Sequence, residues 1–196
     1  MAKPMRFTTF LAGFALAALA GGGVLAFAGG DDEKNEGDAA TLKGLPTSKR
    51  GLLDAIRQAA PAPAAAISAK FEDEGKGLSL SVYVAAKGLG VDAEGNVLEE
   101  VAGSPTSGDW KPETEVFKDV EHVARSAEQA TLMRLTRLTL ADVIAKAGRA
   151  QSGTVFSVSP AVRGGKGVFL VRVASEGKAV DLALDLSTGE PIRPEK

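Results

Sequence analysis

At 196 residues the chain can hold one ordinary domain or two small ones, and 44% hydrophobic with 24% charged residues excludes a globally disordered protein. The absence of cysteine excludes disulfide staples, a lipid-modified cysteine and thiol chemistry, so stability must come from an apolar core. A net charge of −2 at pH 7 carries no electrostatic footprint for nucleic acid.

The first 28 residues hold Lys3 and Arg6, no acid, and an apolar run from Phe7 that Gly21, Gly22 and Gly23 interrupt. This is the layout of a secretory signal over 1–28. Ala26 and Ala28 supply the small residues before a cut at Gly29, and Ala18 and Ala20 offer an earlier one. An uncleaved membrane anchor is the alternative, but a spanning helix needs about 20 continuous apolar residues. The expected location is therefore the periplasm or the outside medium, with membrane contact only through an uncleaved signal. Without Lys3 and Arg6 the chain carries 21 basic against 25 acidic residues, a net charge of −4.

Gly29 to Gly37 contains Asp31, Asp32, Glu33 and Glu36 and almost nothing apolar, which predicts an acidic flexible linker over 29–46. A calcium loop would need a ligand spacing that this run lacks. From there the order of apolar positions repeats. Leu52, Asp54, Ala55, Ile56, Ala59 and Ile67 recur as Leu140, Asp142, Val143, Ile144, Ala147 and Val155, an offset of 88 from Leu52 to Leu140. Neither copy alone could bury much of a core, so joining them in one body is physically sensible.

The first copy spans 47–102. Gly51 is its weak N-cap, Leu52, Ala55, Ile56 and Ala59 form a helical stripe, and Pro61 and Pro63 stop the helix. Ile67, Ala69 and Phe71 alternate as a strand. Gly75, Lys76 and Gly77 turn the chain into a second strand, with Leu78, Leu80, Val82 and Val84 alternating against Ser79, Ser81 and Tyr83. A weaker strand signal runs through Leu89 and Val91 to Gly95, Val97 and Leu98. Residues 103–138 then read as a Ser, Pro, Thr and Gly loop followed by a connecting helix, opened by Pro112 and presenting Phe117, Val120, Ala124 and Ala127 on one face.

The second copy spans 139–196. Thr139 caps a helix striped with Leu140, Val143, Ile144 and Ala147, with Asp142 completing a capping box, and Gly148 and Gly153 bracket its end. Phe156 and Val158 begin a strand. Gly164, Gly165, Lys166 and Gly167 lead into Phe169, Val171 and Val173. The last strand places Val180, Leu182, Leu184 and Leu186 on one face and Asp181, Ala183 and Asp185 on the other, before a turn at Thr188 and Gly189.

The stretch Thr139 to Ile192 resembles the PepSY family in its Thr-initiated, Ala-rich helix, its aromatic strand after a glycine turn, and its ending with Asp185, Thr188, Gly189 and Ile192. Gly51 to Leu98 resembles a degenerate version that keeps Asp92, Gly95 and Leu98 but lacks the threonine of the terminal turn. The resemblance covers about 100 of the 196 residues. It implies an α+β fold of two repeated units, each a helix packed on a small antiparallel sheet, in an exported protein that binds a protein or peptide, in particular a protease that it restrains. The family supplies no catalytic residue to transfer.

The residues themselves offer little for catalysis. His122 is the only histidine, and Glu115, Asp119 and Glu121 near it do not converge at helical spacing, with Lys118 and Ser126 as its expected helix neighbours. A half-exposed helix histidine is the better reading, although a Ser-His-Asp set assembles in space and sequence order does not exclude one. The glycines at 164, 165 and 167 sit before a strand, where a phosphate loop needs a helix, so they read as a hairpin turn. Asp181 and Asp185 lie about 13 Å apart on one strand face, too far for a carboxylate pair. Trp110, the sole tryptophan, stands in a polar loop beside Asp109 and Lys111, either as an aromatic anchor for a partner or as a lid over the core between the copies. The expected function is non-catalytic partner binding with no cofactor and no metal. The alternatives are a structural envelope protein without inhibitory activity and a carboxylate-dependent hydrolase.

Overall fold

The structure is a computed structural model that describes residues 31–73 and 75–192, with side chains from 38 onward. The expected signal at 1–28 lies outside the described residues. In chain order the elements are α1 (Asp31–Gly44), a 3-10 turn at Leu45–Thr47, α2 (Leu52–Ala59), β1 (Ala65–Glu72), β2 (Ser79–Ala85), a 3-10 turn at Ala93–Gly95, β3 (Leu98–Gly103) and β4 (Glu113–Val116). They continue with α3 (Val120–Arg134), α4 (Leu140–Ala150), β5 (Thr154–Arg163), β6 (Lys166–Ser175) and β7 (Lys178–Asp185). All seven strands form one antiparallel sheet in the order β4-β3-β2-β1-β5-β6-β7, which makes the fold α+β.

One sheet face is apolar because strand alternation puts Ala69, Phe71, Leu80, Val82, Val84, Val158, Phe169, Val171 and Leu184 on the same side. All are buried, and they share a core with Leu52 and Ala55 of α2 and Leu140, Val143 and Ala147 of α4. Each fully buried Val, Leu or Phe contributes about 1.5–3 kcal/mol, so this layer is the main source of stability. The start of α4 follows the sequence reading closely. The Thr139 hydroxyl accepts from the Asp142 N–H at 3.2 Å, and the Asp142 carboxylate accepts from the Thr139 N–H at 2.9 Å. Gly164 and Gly165, with φ of +56° and +74°, close the two-residue hairpin between β5 and β6.

Three expectations are corrected. The acidic stretch read as a linker is helical from Asp31 to Gly44. Its composition alone cannot order it, but distant partners do: Asp38 pairs with Arg172, the buried Thr41 hydroxyl accepts from the Asp73 N–H at 2.9 Å, and Leu42 and Leu45 pack on the core. The helix expected from Pro112 begins only at Val120, where the Asp119 carboxylate caps it by accepting from the His122 N–H at 2.9 Å. Glu113–Val116 instead pair with β3 as an edge strand. The helix then buries Ser126, Gln129, Ala130 and Met133, whereas Val120 is 84% exposed. Finally, the weak strand through Leu89 and Val91 is a loop. The Asn96 side chain holds it, accepting from Lys87 N–H and donating to the carbonyls of Gly88 and Val91, and the strand starts at Leu98.

Candidate binding surface

The second face of the sheet is polar. One cross-strand row runs Glu115, Glu100, Tyr83 and Ser68. The next crosses all seven strands as Glu113, Ala102, Ser81, Lys70, Ser157, Arg172 and Asp181. Two helices cover parts of it. α3 is fixed by a buried hydrogen bond in which the Ser68 hydroxyl donates to Gln129 Oε1 at 2.8 Å. α1 is fixed where Arg172 holds the Asp38 carboxylate with both terminal nitrogens, while its Nε donates to Asp181 at 3.0 Å. The Arg172 guanidinium also lies 5.1 Å above the Phe156 ring. These hydrogen bonds, the one to Asp38 first, raise the Arg172 pKa further above its ordinary value.

At the β4 end, three rings stack. Tyr83 and Phe117 lie 5.7 Å apart at 26°, and Phe117 and His122 lie 5.2 Å apart at 18°. The His122 Nδ1 is 2.8 Å from Asp119 Oδ1, so the carboxylate orients the imidazole as well as capping α3. Burial, followed by the charges of Glu100 and Glu72, pushes the Tyr83 hydroxyl well above its ordinary pKa, so it stays protonated. The His122 backbone and side-chain hydrogen bonds hold Asp119 below the usual carboxylate range. Tyr83, Glu121, His122, Arg125 and Ser126 line a small pocket here. Because α3 starts at Val120, Glu115 and Lys118 are not helix neighbours of His122, but Ser126 does share its pocket. No hydrogen bond joins Ser126 to His122 among the described residues, and Ser126 is buried.

Trp110 is corrected as an exposed anchor. It is 1% exposed, in the core, with its carbonyl accepting from Gln58 Nε2 at 3.0 Å. Gly103 permits this close approach, since a Cβ there would lie 3.2 Å from the indole Nε1. The indole lids the core where β3 ends. The carboxylates considered for hydrolysis are both engaged in structure. Asp181 pairs with Arg172, and Asp185 accepts from the Ser187 and Thr188 N–H groups in the terminal turn. No group of three or more metal-ligating side chains converges among the described residues.

The two sheet edges differ. Beyond β7 the chain returns: the Asp185 N–H donates to the Glu190 carbonyl at 2.9 Å and the Ile192 N–H to the Ala183 carbonyl at 2.8 Å. Among the described residues β4 has no such cover, and all four of its residues are exposed. Sequence reasoning missed β4, Tyr83, Phe117 and Arg172 as surface-defining residues. The alternation Glu113, Thr114, Glu115, Val116 after a proline was the available signal for the strand.

No family model matches the chain, and no curated protein matches it. Among solved structures it is similar to a putative lipoprotein from Clostridium difficile 630, with a TM-score of 0.39 and 18% identity over 74% of this chain and 92% of that one. No helix among the described residues is long and apolar enough to cross a membrane.

Proposed function

We propose that the chain is an exported, non-catalytic protein built from two PepSY-like α+β units, which acts in the periplasm or outside medium by binding a protein or peptide and restraining an envelope or secreted protease. The observation that carries the binding reading is the edge of β4, uncovered among the described residues, since such a strand offers unpaired backbone groups to another chain. The two-unit reading draws support from the 88-residue offset and from the order helix, strand, strand, strand, met first at α2 to β3 and again at α4 to β7. The export reading rests on the signal layout of the first 28 residues.

The test adds the protein, purified from the exported fraction of cells expressing the full chain, to proteases fractionated from the producer's envelope and culture fluid. Slowed digestion of a protein substrate, rising with added protein and accompanied by co-elution of the protease, is the expected result. Unchanged proteolysis in every fraction removes the restraining role, and failure of any envelope or secreted protein to co-elute removes partner binding altogether.

A further inference from the structure

We infer that β4 captures an extended basic segment of its partner as an eighth strand, one in which lysine or arginine alternates with apolar residues. The inference rests on the partner-binding reading above and names its place and its chemistry. Register shows what the edge offers. The Phe117 N–H donates to the Leu98 carbonyl, and with the pairs Glu115 to Glu100 and Glu113 to Ala102 this turns the backbone of 113, 115 and 117 toward β3. Thr114 and Val116 therefore point both N–H and C=O outward, two donors and two acceptors for an incoming strand. Pro112, which has no N–H, closes the donor row on one side.

Side chains select the occupant. Glu113 and Glu115 project onto the polar sheet face, and neither has a basic partner among the described residues. Glu115 lies directly opposite Glu100, a like-charge pair that disfavours a further acid beside Glu115 and favours a cation there. On an added strand, the residues opposite Glu113 and Glu115 are two apart on that same face, in the closer, non-hydrogen-bonded positions. Lysine or arginine fits both. The residues opposite Thr114 and Val116 fall on the other face, where Val116 is 45% exposed and favours an apolar neighbour. A second copy of β4 would instead set glutamates against glutamates, so self-pairing is disfavoured by the same charges that attract a basic strand. β7 is the poorer acceptor, because residues 190–192 already occupy part of its outer side.

The probe is an eight-residue peptide alternating lysine and valine, titrated by fluorescence anisotropy against the exported protein. It should bind about tenfold more tightly than a peptide of the same composition with its lysines in one block, and more tightly still than a glutamate and valine alternation. N-methylation of the valine amides, which would face β4, should abolish binding, whereas N-methylation of the lysine amides should leave it. Hydrogen exchange at Thr114 and Val116 should slow in the complex. The Glu113→Lys, Glu115→Lys variant, changed only at exposed positions, should prefer the acidic peptide. Equal binding of both methylated peptides, or a variant that keeps its preference for lysine, would overturn the inference as mere charge attraction. If the variant loses the peptide but still captures the natural partner, the β4 inference falls and the binding reading stands. If the wild type captures neither, both fall.

Discussion

Replacing Trp110 tests whether this residue serves the core or a partner. A buried tryptophan removes about 150–250 Å² from water, which at about 25 cal/mol per Å² amounts to about 4–6 kcal/mol. Trp110 is 1% exposed, so almost all of that applies, and Trp110→Ala is expected to cost about 3–5 kcal/mol once partial collapse of the cavity is allowed for. That is a large fraction of a net stability of about 5–15 kcal/mol. Trp110→Phe is the informative companion. The indole Nε1 is buried with no acceptor among the described residues, so phenylalanine sheds an unsatisfied donor while keeping most of the apolar area, and its cost is expected to stay below about 1.5 kcal/mol. Equilibrium urea unfolding followed by far-UV circular dichroism measures both, since the variants lack the only tryptophan available to fluorescence. A Trp110→Ala protein within about 0.5 kcal/mol of wild type that had nonetheless lost its partner would refute the core role and restore the exposed anchor.

Gly153→Ala should cost about 3 kcal/mol or more and lower the thermal midpoint by several degrees, because φ is +140° and the new Cβ would lie 2.2 Å from the Ala174 carbonyl oxygen; a midpoint equal to wild type would show that the backbone there shifts freely. Arg172→Met should release α1 from the sheet, at a cost of about 2 kcal/mol and with faster amide exchange over 38–44, and unaltered exchange would place the hold on α1 elsewhere. The carboxylates of Asp142 and Asp185 are held below the ordinary value of 3.8 by hydrogen bonds from Thr139 and Thr188 respectively. Their contribution is fully present above that value and lost as pH falls through the lower folded values, so urea midpoints should drop below about pH 4. An Asp142→Asn, Asp185→Asn double variant should show a shallower drop, and an identical acid slope would remove these two groups as its source.

What the sequence disclosed was local or periodic. The stripe of α4 and its Thr139 and Asp142 cap are read within one turn of helix, and the alternation of β2 and β7 records burial on one face. The elements it hid depend on residues far away. α1 reads as an acidic tether because Arg172, which orders Asp38, lies in another part of the chain. β4 is too short for its alternation to outweigh Pro112 as a helix start, and only the row of β3 beside it makes a strand. Trp110 sits among Asp109, Lys111 and a run of small polar residues, so composition points outward while the missing Cβ of Gly103 lets the indole turn in. Which sheet edge stays open among the described residues follows from which edge the chain itself returns to cover, a contact between residues that periodicity does not link.

The bond between Asp38 and Arg172 spans 134 positions along the chain. Synthesis runs in one direction, so α1 lacks this one anchor until β6 has been made, while its Thr41 contact to Asp73 becomes possible much earlier. Closing so large a loop is slow compared with forming the hairpins between neighbouring strands. A chain truncated before β6 therefore leaves α1 without its ion pair, held through Thr41 and Leu42.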